Sequence, residues 1–229
     1  MRPGETARRG DGTAPHVVFL SGTLHAGSKA DRIAAWCARR CRGATTTVFT
    51  GEDLEFPHYR YGLSGRHPQL TRYLYELANS DGVVLLSPAY HGTISGLLKN
   101  ALDYANDLAQ ERRPFLQDRS IGCVALALGD QGAASTLATL RTVAHALRGW
   151  PTPLGVTLTA ATAALRPDGE PARPETRDRL DLMLGQVMAV ARRNAEARRR
   201  FRVRAALGPE PVRADTLLAQ HAAGRHHHE

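Results

Sequence analysis

The chain has 229 residues, 42% of them hydrophobic, enough for one domain with a substantial core and a short extension. Its net charge of +8 is concentrated: residues 192–204 hold seven arginines against one glutamate, so six of the eight charges sit in one segment. Such a segment reads as a solvated helix face or a subunit contact, not a nucleic-acid site. No apolar run approaches the roughly 18 residues of a membrane helix, and the charged, Gly- and Pro-rich opening MRPGETARRGDGTAP is unlike a signal peptide. A cytoplasmic protein with no membrane or nucleic-acid partner is expected. Cys37 and Cys41 lie four apart on a predicted helix and Cys123 in an apolar strand, which fits buried free thiols in a reducing compartment. No metal site is expected, and His226 to His228 near the end carry no metal argument.

Residues 1–14 read as a disordered arm. His16 to Leu20 form a first apolar strand ending at Ser21-Gly22, and a helix follows from about Ser28 to Arg40 with Ile33, Ala34, Trp36 and Cys37 on its buried side. The loop between them, GTLHAGSKA, suits an anion: Gly22 and Gly27 allow tight backbone, while Thr23, Ser28 and Lys29 stand at the helix N-terminus. Two other phosphate motifs are excluded. Gly22-Thr23-Leu24 breaks the dinucleotide fingerprint, and Ser28-Lys29 reverses the order a P-loop needs.

Thr45 to Thr50 is a β-branched second strand, followed by a long connection whose Tyr59 and Tyr61 offer aromatic surface to a ring or to packing. A helix from about Gln69 to Ala78 leads to the central stretch, DGVVLLSPAYHGTISGLLKNALDY, residues 81–104. Val83 to Leu86 suit a strand buried on both faces, Pro88 ends it, and from Leu97 the apolar residues fall on one helical face. Ser120 to Leu128 is another buried strand, ending in a Gly-rich loop with Gly129, Asp130 and Gln131, after which Ser135 is expected to cap a helix. On that helix His145 reads as packed or interfacial. Arg148 to Pro153 make a rigid turn before a fifth strand, Gly155 to Thr159, and a long helix begins near Glu175. Strands alternating with helices imply a parallel sheet covered on both sides.

The loop after the central strand resembles the second flavin-binding loop of the NADPH-dependent FMN reductase family, roughly P-x-Y-x-x-x-x-x-G-x-L-K-N-x-x-D. Pro88, Tyr90, Gly96, Leu98, Lys99, Asn100 and Asp103 match it in register. The first loop resembles the family's phosphate loop, G-S-x-R-x-x-S-x-[NT]. Gly22 and Ser28 match and Thr23 replaces Ser, while His25 stands for Arg and Ala30 for Asn or Thr, two departures that remove donors.

The resemblance implies a flavodoxin-like three-layer sandwich, a five-stranded parallel sheet of order 2-1-3-4-5, with FMN at the switch point between strands one and three. It places the domain at residues 15–195, leaving a basic helical extension and tail at 196–229. It implies an NAD(P)H-dependent FMN oxidoreductase, using NADPH or NADH, that passes hydride to FMN and then electrons to a quinone-like or other small acceptor. The cofactor-binding residues it implies are Ser21, Thr23, His25, Ser28 and Lys29 in the first loop, Pro88, Ala89, Tyr90, His91 and Gly92 in the second, and Gly129, Asp130 and Gln131 in the third. No catalytic side chain is needed for flavin reduction. Lys99 and Asp103, four apart, read as a surface ion pair. The family commonly dimerises, and Leu97, Leu98, Ala101, Leu102, Tyr104 and Leu108 appear as surplus apolar surface on the central helix, so a homodimer or homotetramer is expected. Two alternatives stay open: a flavin reductase supplying reduced FMN to a partner monooxygenase, and a non-enzymatic flavodoxin-like electron carrier.

Overall fold

The computed structural model describes residues 14–63 and 67–206. The expectations for the disordered N-terminal arm and for the tail from Gly208 onward therefore lie outside the described residues. In chain order the elements are β1 (His16–Ser21), α1 (Lys29–Arg40), β2 (Thr45–Phe49), a 3-10 turn (Gly51–Leu54), α2 (Pro68–Asn79), β3 (Gly82–Pro88), α3 (Gly96–Asp103), a second 3-10 turn (Tyr104–Leu108), β4 (Ser120–Leu126), α4 (Asp130–Ala146), β5 (Trp150–Pro151), β6 (Val156–Leu158) and α5 (Pro174–Ala206). Compactness divides the chain into residues 1–195 and 196–229. Among the described residues no helix is long and apolar enough to cross a membrane.

The sheet is parallel with order β2-β1-β3-β4-β5, and β6 also pairs with β4. This is the expected 2-1-3-4-5 order, with the fifth strand in two pieces. Ile121 faces Pro151 and Val124 faces Val156, so residues 152–155 bulge out opposite Gly122 and Cys123. Pro153 has no N–H to give the ladder, and Thr152 holds the bulge by bonding Ile121 O through its N–H at 2.9 Å and Leu154 O through its hydroxyl at 2.8 Å. Trp150-Pro151, read from sequence as part of a turn, is thus a short strand.

Both faces of the sheet are buried, because successive side chains point to opposite sides. Val18, Leu20, Val83, Leu85, Ile121 and Cys123 pack under α2, α3 and α4. Val17, Phe19, Val84, Leu86 and Val124 pack under α1 and α5. The unbroken apolar runs of β3 and β4 follow from this two-sided cover. Cys37, Cys41 and Cys123 are free and buried, as expected, and burial pushes all three thiols up, Cys41 to about 11 and Cys123 to about 12.

At the edge where the strands begin, Arg119 is fully buried. Its guanidinium donates to the carbonyls of Leu77 and Ala78, to the Ser80 hydroxyl, and to the carbonyls of Phe115 and Gln117. A cation at the C-terminal end of α2 satisfies carbonyls that the helix leaves unpaired and meets the negative end of its dipole. On α5, Asn194 donates to the carbonyls of Asp81 and Asp118, one and two residues ahead of β3 and β4, and so ties the helix to the same edge. His145 is exposed on α4.

Candidate functional site

Parallel strands put their following loops on one edge. Loop one (22–28) follows β1, loop two (89–95) follows β3, and loop three (127–129) follows β4. These three strands are neighbours, and the chain order reverses between β1 and β3. Open α/β sheets bind ligands at such a reversal.

Loop one is stitched by short polar contacts. Ser28 caps α1: its Oγ accepts from Asp31 N–H at 3.1 Å, while its own N–H donates to Asp31 Oδ2 at 3.1 Å. The other Asp31 oxygen accepts the buried Ser21 hydroxyl at 2.6 Å. Ser21 and Asp31 are therefore internal supports, and the Ser21 hydroxyl is directed to Asp31. Thr23 is nearly buried, and its Oγ1 accepts His25 N–H at 3.3 Å. His25 and Lys29 are exposed and Ser28 half-buried. Among the described residues, the N–H groups of Ala26, Gly27, Lys29 and Ala30 have no acceptor, two of them in the open first turn of α1.

Loop two is a small hairpin. Tyr90 N–H donates to Thr93 O at 3.0 Å and Thr93 N–H to Tyr90 O at 3.2 Å, with His91 (φ 52) and Gly92 (φ 84) at the tip. Two successive residues at positive φ are what a two-residue hairpin turn requires. Ser95 ends the loop by capping α3. Pro88 and Ala89 are half-buried, Tyr90 half-exposed, and His91 and Gly92 exposed.

Loop three is shorter than expected, because α4 begins at Asp130 with Gly129 as its cap. Ser135, expected to cap the helix, lies inside it. Its hydroxyl instead donates across to Gly92 O and pins the tip of loop two. Gly129, Asp130 and Gln131 are exposed on the first turn. Leu128, read as the last residue of a buried strand, is 92% exposed.

The three loops meet through close backbone approaches. A Cβ on Gly22 would lie 2.6 Å from Leu98 Cβ and 2.7 Å from Ser95 Oγ, so loop one touches the first turn of α3 only because that position is bare. A Cβ on Gly51 would overlap Thr23 O, so the turn after β2 packs backbone to backbone against loop one. Gly132, near Ala127 and Ala89, joins loops two and three with more room.

The remaining matched residues support these loops. Asn100 donates to the carbonyls of Phe56 and Pro57 and accepts Tyr59 N–H, holding the long connection against α3. Lys99 and Asp103 form the expected exposed ion pair at 2.6 Å. Tyr59 is a packing residue, edge-on to Tyr104 at 5.1 Å, whereas Tyr61 is 85% exposed. The surplus apolar face expected on the central helix is absent: Leu98, Ala101, Leu102, Tyr104 and Leu108 are buried within the subunit, and Leu97 is half-buried against the same core. Sequence reasoning also missed Leu24 and Leu128, which with Tyr90 give each loop one large exposed hydrophobic side chain. Their exposure follows from where the strands stop, which an apolar run does not reveal.

The close approaches make a paired test. Gly22→Ala should destabilise the fold by about 1–3 kcal/mol, because the added methyl overlaps Leu98 and Ser95. Gly132→Ala, whose nearest neighbours would lie 3.4 and 3.7 Å away, should leave stability unchanged or slightly raised. Urea unfolding of the two variants checks this, and equal losses would refute the packing argument.

A sequence model described as NADPH-dependent FMN reductase matches residues 15–163. Among solved structures, the chain is similar to FerB, a flavoenzyme NAD(P)H:(acceptor) oxidoreductase from Paracoccus denitrificans, at 19% identity and a TM-score of 0.64, covering 79% of this chain and 98% of that one. It is similar to RosB with a bound 8-demethyl-8-formylriboflavin-5'-phosphate intermediate at 17% identity and a TM-score of 0.59, covering 92% and 87%. A WrbA-like flavodoxin from Agrobacterium tumefaciens matches at 18% identity and a TM-score of 0.53, covering 79% and 99%. At these identities the structures speak for the flavodoxin-like fold. The family match spans well over half of the sequence, and the chain belongs to the NADPH-dependent FMN reductase family.

Proposed function

We propose that the protein is an NAD(P)H-dependent FMN oxidoreductase that passes electrons to a quinone-like or other small acceptor. The observation that carries this reading is the meeting of three loops at the switch point, with unpartnered N–H groups concentrated in loop one.

The residues present fit FMN. Its phosphate belongs at loop one, where the N–H groups of Ala26, Gly27, Lys29 and Ala30 stand beside Lys29, His25 and the Ser28 hydroxyl, which accepts Asp31 N–H and keeps its own proton to donate, at the positive end of α1. The N-terminal turn of α4 competes poorly for an anion, because Asp130 already places a carboxylate there. Loops two and three are then left for the ring, with Pro88 to Gly92 on one side and Gly129 to Gln131 on the other. Bound FMN supplies the hydride and electron transfer, so these residues need only position and shield it. The exposed Leu24, Tyr90 and Leu128 support a covering second subunit, and we propose a homodimer. Buried free thiols agree with a cytoplasmic location.

A second reading, release of reduced FMN to a monooxygenase, is favoured by one feature. Ser28 N–H is already held by Asp31 and by His25 O, so loop one offers the phosphate fewer donors than its motif suggests.

Three measurements test these proposals. NADPH or NADH added without oxygen should bleach the flavin absorbance of the FMN-loaded protein, and a quinone should restore it. No oxidation of either nucleotide would leave an electron carrier. FMN should bind more tightly than riboflavin, and Ser28→Ala should narrow that gap by roughly 1.5–3 kcal/mol, since only FMN carries the phosphate. The same change removes a helix cap and should lower stability by about 1 kcal/mol. The ratio of the two flavin affinities, not FMN affinity alone, is therefore the readout, and an unchanged ratio counts against loop one. Finally, sedimentation should give a dimer, and substituting Leu128→Asp should weaken it; a concentration-independent monomer would refute the assembly.

A further inference from the structure

A groove of about 420 Å³ lies between the end of α1 and the middle of α5. Its rim carries Arg40, Arg42, Arg192 and Asp181, and its floor Leu184, Gly185 and Met188. It is remote from the three loops. Helix α1 starts at loop one and runs back across the sheet, so Arg40 and Arg42 come just before β2 begins. Asn194, two residues beyond Arg192, bonds the carbonyls that precede β3 and β4. Strands of seven residues at about 3.3 Å each separate the two edges by roughly 20 Å.

The charges in the groove do not balance. Arg40 is held in place, with Nε and Nη2 donating to the two Asp181 oxygens at 2.9 and 2.5 Å and its guanidinium 5.4 Å from the Trp36 ring centre. That pair matches one charge with one charge. Arg42 and Arg192 have no acidic partner among the described residues. The floor is apolar, with Leu184 4% and Met188 6% exposed. Between them stands Gly185, although glycine is the poorest residue after proline in a helix interior. A Cβ there would meet nothing within 4 Å, so no neighbour in the described chain demands the glycine, and its bareness keeps the groove open.

We infer that this groove binds a phosphate-bearing small molecule, with Arg42 and Arg192 on the phosphate oxygens and the apolar part against Leu184 and Met188. Two unmatched guanidiniums suit a phosphate monoester, which carries close to two negative charges at neutral pH, better than a single carboxylate. The planar guanidinium fork pairs with phosphate oxygens two at a time. The volume is that of sites for small organic ligands.

The test uses protein saturated with FMN, so that loop one is filled. Calorimetric titration with phenyl phosphate at low salt should show saturable binding, tighter than that of inorganic phosphate because the ring reaches the apolar floor. The double variant Arg42→Gln with Arg192→Gln should weaken it by roughly tenfold or more, with the melting temperature unchanged. A control of equal charge, Arg199→Gln with Arg200→Gln farther along α5, should change it by less than about twofold. No saturable binding to the native protein, or equal losses in both double variants, would overturn the assignment. Sedimentation with phosphatidic-acid vesicles that depends on Arg42 and Arg192, in the absence of phenyl phosphate binding, would overturn it in favour of a membrane headgroup.

Discussion

The functional edge of this protein depends on a missing methyl group at Gly22. Its backbone N–H bonds Leu86 O at 2.9 Å, continuing the β1–β3 ladder one residue past the strand, and its bare Cα lets the chain turn against Leu98 and Ser95. Because Ser95 also caps α3 and takes a position fixed by Ser87, loop one, the end of β3 and the start of α3 are set by the same few atoms. Loop one is then closed from the other side by Gly51 against Thr23. An interior packed this tightly transmits small changes, so the spacing between loops one and two is a property of the whole switch point.

The two edges of the sheet are built from different chemistry. Where the strands end, backbone groups and small residues leave N–H groups facing open positions, an arrangement suited to an anion and a ring. Where β1, β3 and β4 begin, polar side chains bond to one another and to the backbone. Arg119 gathers five acceptors at the end of α2, Asp81 accepts His16 N–H, and His16 bridges Thr45 and Glu76. A fully buried guanidinium is tolerated there only because its donors are satisfied.

The helix α1 connects these two worlds. Its N-terminus holds the Ser28–Asp31 capping box under loop one, and its C-terminus presents Arg40 to Asp181 on α5. The acid that caps the helix is also the reason loop one offers fewer donors than its glycines suggest. A carboxylate that stabilises the helix start by occupying a backbone N–H necessarily withholds it from a ligand.

Much of this was legible in the sequence. The continuous apolar and β-branched runs located five of the six strands, the helical period located the helices, and the Lys99–Asp103 pair followed from i,i+4 spacing. The matched loop residues pointed to the family, since Pro88, Tyr90, Gly96 and Asn100 stand at fixed positions along a strand–loop–helix unit. Tertiary structure decided the rest. Ser135 reads as a cap because serine favours caps, yet Gly129 in extended conformation starts the helix earlier and frees Ser135 to hold Gly92. The apolar face of α3 reads as surplus until the long connection, fastened by Asn100, covers it with Phe56 and Tyr59. Leu128 reads as the last residue of a buried strand and is exposed, because the β3–β4 ladder ends at Leu126. Local pattern fixes which residues can form an element, while burial and the partners of each backbone group depend on what the rest of the chain brings alongside.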